Sequence, residues 1–207
     1  MYIKCCYYDV SQLCSPQLFE KALCSLAWKQ RAEKVKSYRF DKDKRLCLGA
    51  GLLVQHMLLQ AGVSDMQICE TELGKPYLSN HSDIHLSISH DGTIALCALA
   101  DTQVGADVQK TTAYNTRLAS RVFTPDEIEW TENSPDRDKA FTRLWTRKES
   151  YVKMLGKGLS LDTRTISLCP ENSTVVCFNE FDIGDYHISI CTAQSVKAEL
   201  SQWSFDM

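Results

Sequence analysis

The sequence predicts an α+β protein in which long helices pack against small, mainly antiparallel sheets. Two segments, Leu46–Leu59 and Phe141–Leu155, carry apolar residues at helical spacing. Two others, Ile84–Ser89 and Tyr186–Cys191, alternate apolar with polar residues, as half-buried strands do. An Asp91-Gly92 turn signal joins the first of these strands to an apolar run that ends at Ala100, which predicts a hairpin and therefore antiparallel pairing.

The ends of the helices are marked by residues with known start and stop preferences. Gly62 follows the first long helix, and Gly156 follows the second. Thr124 has proline next to it and a glutamate three residues on, which is the pattern of a capped helix start. The order of helices and strands is therefore readable along most of the chain.

A weak internal repeat predicts two similar halves. Asp41–Leu46 resembles Asp136–Phe141 at the start of the two long helices, and the strand Ile84–Ser89 resembles Tyr186–Cys191. We therefore expect two pseudo-symmetric α/β halves, residues 1–103 and 104–207, packed together in a monomer. Chance similarity between short segments is the alternative.

Composition and the absence of targeting segments predict a cytoplasmic protein. The 207 residues are 44% hydrophobic and 24% charged, as in an ordinary globular protein. The first residues lack the basic-then-apolar order of a signal peptide, and no apolar run approaches the roughly 18 residues of a membrane helix. The ten cysteines include no Cys-x-x-Cys pair, and we expect reduced thiols.

One basic window stands out in a chain with a net charge of −3. Between Lys29 and Arg45 there are eight basic and three acidic residues. Such a local patch suits a compact polyanionic ligand or an acidic partner better than a long nucleic acid. A solvated helix face is the alternative.

Five residues are candidates for chemistry. Asp107 is an acid among apolar residues, which is costly unless the carboxylate is paired or binds a metal. Glu149 and Lys153 share a helix face beside an apolar stripe, although an ordinary surface ion pair has the same spacing. Ser89 and His90, at the end of a strand, could both donate hydrogen bonds to a phosphate, or could be ordinary turn residues.

Other motifs carry little weight. The histidines between 81 and 90 lie on or before a strand, where their spacing does not converge, and they have no partner cysteine pair, which argues against zinc. The glycine-containing segments lack the further residues of a dinucleotide fingerprint or a P-loop.

Taken in order, these segments resemble the 4′-phosphopantetheinyl transferase superfamily, specifically its two-lobed surfactin-synthetase-activating type. The resemblance extends from about Arg31 to Ser160. Its elements are the basic window, Gly74-Lys75-Pro76, Ser89-His90, Val104–Val108, Trp145–Lys153 and Gly156-Lys157-Gly158-Leu159-Ser160. The internal duplication of that family also agrees with the repeat described above.

The resemblance implies an enzyme that transfers the phosphopantetheine arm of coenzyme A to a serine of an apo acyl or peptidyl carrier protein, releasing adenosine 3′,5′-bisphosphate. It places the active site at the seam between the halves and implies a divalent cation, Mg²⁺ or alternatively Mn²⁺, held by Asp107 and Glu149. Glu149, or a water that it orients, is the implied general base.

The same resemblance assigns the binding residues. Ser89 and His90 would hold nucleotide phosphates, and Lys148 and Lys153 would face the phosphates from one helix. The basic cradle around coenzyme A would consist of Arg31, Lys34, Arg45 and Lys75. The basic window and the loop 111–121 are the expected docking surfaces for the carrier protein, the loop by resemblance alone. No nucleic acid or membrane partner is implied.

One position departs from the family. Many relatives carry a third acid two residues after the aspartate, where this chain has Gln109. An amide oxygen, or a water in its place, would leave the metal site one negative charge short. Gln109 also encourages the main alternative, a non-catalytic homologue that binds coenzyme A or a carrier protein. A magnesium nuclease is a weaker alternative, because its acid and lysine would lie two residues apart on a strand.

Overall fold

The computed structural model describes residues 1–158, 161–171 and 176–205. The helices are α1 (Pro16–Ser25), α2 (Lys29–Ser37), α3 (Asp41–Gln60), α4 (Thr116–Val122), α5 (Pro125–Glu132) and α6 (Arg137–Leu155), with short 3₁₀ turns at Val10–Cys14 and Thr163–Thr165. The strands are β1 (Ile3–Asp9), β2 (Ile68–Glu70), β3 (Pro76–Leu78), β4 (His85–Asp91), β5 (Ile94–Ala100), β6 (Val104–Lys110), β7 (Cys177–Ile183), β8 (Tyr186–Thr192) and β9 (Ala198–Gln202).

The strands form three sheets. The first has the order β4-β5-β1-β9, antiparallel except for the parallel pair β1 and β9. The second is the short hairpin of β2 and β3. The third, in the order β6-β8-β7, is antiparallel throughout. These sheets and the helices around them confirm the α+β class.

The two larger sheets share one core, and each carries a long helix on its other face. Apolar residues of β1 and β5 such as Ile3 and Leu96 pack against Val104, Val108 and Ile190 from the third sheet. The helix α3 covers the opposite face of the first sheet, and α6 packs on β6 and β8. The close approach of α6 depends on Gly105, because a Cβ at this position would overlap the α6 backbone.

The predicted element positions agree with the structure. The helix predicted at Leu46–Leu59 lies inside α3, and Gly62 follows it with a φ of 82°. The second long helix is α6, which ends at Gly156 in the left-handed region with a φ of 67°. The helix start at Thr124 is also confirmed, since α5 begins at Pro125.

The division into two halves is less clean than the sequence suggested. The last strand, β9, pairs with β1, so residues 198–202 belong to the sheet of the N-terminal half. The two repeated strand segments also have different positions, since β4 lies at a sheet edge and β8 in the centre of a sheet. The pseudo-twofold relation between the halves therefore stays a prediction. Of the helices that the structure describes, none is both long and apolar enough to span a membrane.

Candidate active site

The site lies where the edge strands β4 and β6 meet. Instead of a backbone ladder, two serine side chains connect these strands. The backbone N–H of Ala106 donates to Oγ of Ser87 at 2.9 Å, and Oγ of Ser89 donates to Oδ1 of Asp107 at 2.6 Å. Ser87 and Ser89 are two positions apart on β4, so their side chains lie on the same face of the strand. Both hydroxyls therefore point toward the third sheet.

Asp107 is buried and held by three donors. Its side chain lies in the middle of β6 and is 1% exposed. Besides the Ser89 hydroxyl, Oδ1 accepts from Nζ of Lys153 at 2.7 Å, and Oδ2 accepts from Nε2 of Gln109 at 3.2 Å. A buried carboxylate requires such partners, so its orientation at the seam is fixed.

Glu149 is the second carboxylate of the site. It lies one helical turn before Lys153 on α6, so the two side chains share a face. Removal from water and the nearby charge of Asp107 raise the pKa of the Glu149 carboxyl, while Lys153 partly opposes this. Among the side-chain hydrogen bonds of residues 1–158, 161–171 and 176–205, none is donated to the Glu149 carboxylate. The structure thus brings both predicted acids together, with the ammonium of Lys153 beside them.

A cavity of about 230 Å³ opens next to these residues. It is lined by Leu73, Gly74, Lys75, Pro76, Ser87, Ile88, Glu149, Val152, Lys153, Gly156 and Gly158. The lining comes from both halves of the chain, which places the cavity at the seam. Leu159 and Ser160, the end of the last predicted motif, lie outside the described residues.

The donor set of the site fits a magnesium ion better than a softer metal. Asp107 and Glu149 offer hard carboxylate oxygens, and Mg²⁺ in phosphate-binding sites usually takes one or two protein carboxylates. In the described part of the chain, no group of three or more histidine, cysteine, aspartate or glutamate side chains is arranged to hold a metal. From the described residues, a cation held here would therefore have two acidic ligands. Phosphate oxygens or water molecules would complete its coordination shell.

His90 faces the opposite side of β4 from Ser89. The residue is exposed, but neighbouring groups hinder hydration of the imidazole and the charges of Arg31 and Lys153 repel its proton, so the pKa of His90 lies below its ordinary value. Arg31, His90 and Lys153 are therefore three cationic or potentially cationic groups that influence one another electrostatically. Such a cluster favours binding of an anion.

Lys75 does not present its amine to the cavity. Its Nζ donates to the carbonyl oxygens of Val104, Lys153 and Met154 at 3.2, 2.7 and 3.1 Å. The contacts with Lys153 and Met154 satisfy carbonyl groups at the C-terminal end of α6, and burial lowers the pKa of Lys75 to about 8. In this structure the Lys75 amine caps the end of α6, and its role in the basic cradle stays a prediction.

Lys148 is held inside the protein in this structure, and its predicted contact with phosphates stays a prediction. Five positions separate it from Lys153, about 140° around a helix, so the two amines cannot face the same ligand. The Lys148 side chain is 2% exposed, and its Nζ forms an ion pair with Glu127 at 2.8 Å. Burial lowers the pKa of Lys148, and the charge of Glu127 opposes this shift.

The predicted basic cradle is not gathered in one place. Arg31 is 5% exposed and its Nε donates to the carbonyl of Cys47, although its charge reaches His90. Lys34 is exposed on α2. Arg45 is half-buried and lines a separate groove with Phe19.

Comparisons with known proteins show which family the chain resembles. The family model described as the 4′-phosphopantetheinyl transferase superfamily matches residues 103–202, which include Asp107, Glu149 and Lys153. The 4′-phosphopantetheinyl transferase Sfp of Bacillus subtilis is 30% identical over 144 residues, covering 67% of this chain and 64% of the relative. The 4′-phosphopantetheinyl transferase ffp of Bacillus subtilis is 25% identical, covering 83% of this chain and 84% of the relative.

A vertebrate relative also matches. The L-aminoadipate-semialdehyde dehydrogenase-phosphopantetheinyl transferase of Xenopus laevis is 30% identical over 173 residues, covering 73% of this chain and 57% of the relative. The chain thus spans less than two thirds of the length of several relatives, 64% for Sfp. A solved holo-[acyl-carrier-protein] synthase from Thermotoga maritima aligns with a TM-score of 0.37 and 15% identity, covering 44% of this chain and 61% of that one, and we draw nothing from it. From the family model and these relatives, the chain belongs to the 4′-phosphopantetheinyl transferase superfamily.

Proposed function

We propose that this protein transfers the 4′-phosphopantetheine group of coenzyme A to a serine of an apo acyl or peptidyl carrier protein. A bond forms between the serine oxygen and the phosphorus that bears the pantetheine, and the bridging bond of the pyrophosphate breaks. Adenosine 3′,5′-bisphosphate leaves, and the serine proton passes to a base. The observation that carries this proposal is the ion pair of Asp107 with Lys153, close enough to Glu149 to raise its pKa, beside a cavity that Glu149 and Lys153 line.

The reaction needs positive charge near a doubly negative pyrophosphate and correct alignment of two reactants. Lys153 supplies one such charge, because 29% of its side chain is exposed and its amine already lies at the site. His90 and Arg31 are suited to a phosphate group on the other side of β4. The hydroxyl of Ser89 donates a hydrogen bond to Asp107, and we assign Ser89 the role of positioning this carboxylate.

Asp107 and Glu149 would hold the divalent cation, Mg²⁺ or Mn²⁺, that we infer for this reaction. When bound, such a cation neutralises charge that develops on phosphate oxygens. Glu149 is also the candidate to accept the serine proton. In the metal-free protein its pKa is raised, whereas a carboxylate that binds the cation is a weaker base. A water that Glu149 orients is therefore the alternative acceptor of this proton.

The carrier protein is expected to dock on exposed surfaces near the seam. The basic window provides the exposed side chain of Lys34 and its neighbours on α2, which suits an acidic partner. The segment 111–121, which consists of the connection after β6 and most of α4, is the second candidate surface.

Intact-protein mass spectrometry of an apo carrier tests the proposed function. The carrier is incubated with coenzyme A, Mg²⁺ and this protein, and we expect it to gain one phosphopantetheine group. A carrier that binds the protein but keeps its apo mass would support the non-catalytic alternative instead. Carriers of fatty-acid, polyketide and nonribosomal peptide synthesis would be compared in the same assay.

Replacing Gln109 by glutamate is expected to tighten Mg²⁺ binding. The Gln109 amide contacts Asp107, so a carboxylate at this position adds negative charge close to the proposed metal. We expect a gain of roughly tenfold in Mg²⁺ affinity, a modest part of what one charge at short range supplies. Calorimetric titration with Mg²⁺ in the presence of coenzyme A measures it, with Gln60→Glu as the control. If the titrations of wild type and Gln109→Glu superimpose, Gln109 does not act on the metal.

Coenzyme A affinity is expected to depend on the protonation of His90. The pKa of this imidazole is lowered in the free protein, and a bound phosphate raises it. Affinity is therefore greatest below the pKa of free His90 and decreases as the pH rises through the pKa of the complex. Calorimetry between about pH 5 and 8 compares wild type with His90→Gln. The phosphates of coenzyme A titrate in the experiments with both proteins, so only a difference between the two pH profiles reports on His90. If the affinities of wild type and His90→Gln change in parallel with pH, His90 does not bind the phosphate.

A further inference from the structure

We propose that Lys148 and Glu127 form a buried clamp that positions the segment after α6, and through it the glycine-containing side of the coenzyme A cavity. Neither residue contacts substrate in this proposal. They are positioning residues, and the role differs from the phosphate contact that the sequence suggested for Lys148. The coenzyme A part of the test rests on the proposed function.

The clamp is a closed network of hydrogen bonds. The ammonium of Lys148 donates to the carbonyl oxygens of Thr163 and Ile166, both at 2.7 Å, and pairs with Oε2 of Glu127 at 2.8 Å. Three acceptors use all three protons of an ammonium group. The Lys148 side chain is 2% exposed and that of Glu127 is fully buried, so neither is free to reach a ligand in the cavity.

Glu127 joins three parts of the chain. It accepts from the backbone N–H of Thr124 at 2.8 Å, which caps the start of α5. Its other oxygen accepts from the N–H of Leu168 at 2.6 Å. Together with Lys148, it therefore fixes α5, α6 and the segment 163–168 relative to one another.

This segment is tethered closely to the cavity. Gly156 and Gly158 line the cavity, and Thr163 follows Gly158 by only five positions. Five residues span at most about 18 Å, so the position of Thr163 restricts where Gly158 can lie. A second bond, from Oγ1 of Thr163 to the carbonyl of Val122, holds the same end. Loss of the clamp should consequently loosen one wall of the cavity while the rest of the site keeps its structure.

The test compares Lys148→Met, Glu127→Gln and the double variant Glu127→Met/Lys148→Met. Lys139→Met on α6 and Glu129→Gln on α5 are the matched controls, because both side chains are exposed. Three quantities are measured: the urea midpoint, hydrogen exchange of peptides within 161–171, and the dissociation constant of coenzyme A with Mg²⁺. Glu127→Gln keeps a carbonyl acceptor for the N–H of Leu168, so this variant should fold even if Lys148→Met does not.

We expect both single variants to exchange faster in 161–171 and to weaken coenzyme A binding by roughly tenfold, within the losses that small displacements of binding groups cause. The double variant should regain much of the urea midpoint, because an apolar pair can replace a buried ion pair. It should not regain coenzyme A affinity or slow exchange, because the carbonyls of Thr163 and Ile166 remain unpartnered. The combined loss of affinity should be no larger than that of the worse single variant.

Each of three results would overturn the proposal. If Lys148→Met weakens coenzyme A binding while Glu127→Gln leaves it unchanged, Lys148 acts on the ligand directly. If the double variant recovers affinity together with stability, the pair serves folding alone. Should the wild type bind no coenzyme A at all, the proposed function fails, while unchanged exchange in 161–171 in the single variants would still reject the clamp on its own.

Discussion

Replacement of Asp107 by asparagine is expected to abolish most of the phosphopantetheine transfer while leaving the fold intact. The amide keeps the shape of the carboxylate and can still accept from Ser89, but it removes the buried negative charge at the seam. Charge stabilisation by a metal is worth several kcal/mol, so we expect kcat/KM to fall roughly a hundred- to ten-thousandfold. The rate of carrier modification, followed by mass spectrometry, measures the loss.

The control for this variant is Asp101→Asn, the same change at an exposed acid on the edge of the molecule. It should transfer at the wild-type rate. Because Lys153 loses its partner in Asp107→Asn, a circular dichroism melting curve establishes that the variant is folded. A folded Asp107→Asn protein with wild-type kcat/KM would remove Asp107 from the reaction.

Replacement of Glu149 by glutamine is expected to reduce transfer by a similar factor and, in contrast, to stabilise the metal-free protein. Burial and the charge of Asp107 raise the pKa of Glu149 above its value in the unfolded chain. At this position the folded wild type therefore binds more protons than the unfolded chain. Its free energy of unfolding decreases as the pH rises from about 4.5, the ordinary pKa, through the raised pKa of the folded state. The glutamine variant lacks this loss.

Urea unfolding at acidic and neutral pH checks the predicted gain in stability. The carrier-modification assay checks the predicted loss of transfer activity. We expect the midpoint of Glu149→Gln to exceed that of wild type at pH 7 and the two midpoints to converge in acid. Glu129→Gln, on an exposed position of α5, serves as the comparison and should change neither quantity. A less stable but fully active Glu149→Gln protein would contradict both arguments, since it would give Glu149 a purely structural role.

Much of the fold was predictable because its local patterns are strong. The helical spacing and the glycine stops bounded α3 and α6, and the alternation with an Asp-Gly turn placed β4 and β5. The pairing of β9 with β1 was not predictable, because the contact joins opposite ends of the chain and nothing local encodes it.

The candidate site shows the same division between local and long-range information. Asp107, Glu149 and Lys153 were identified from their neighbours, and the structure brings them together. Lys148 and Lys75 were assigned by residue type, whereas their actual partners are carbonyl groups distant in sequence. Glu127 was recognised from the sequence only as a helix-capping residue, and its burial against Lys148 depends on tertiary packing.

The central claim is that Asp107 and Glu149 hold one divalent cation beside coenzyme A. A crystal structure with coenzyme A and Mn²⁺ in place of Mg²⁺ tests it most directly, because the anomalous signal locates the metal. We predict a single metal peak with an oxygen of Asp107, an oxygen of Glu149 and phosphate oxygens in its coordination shell. A metal coordinated by coenzyme A alone would contradict the account. So would a metal bound elsewhere in the protein while Lys153 stays paired with Asp107.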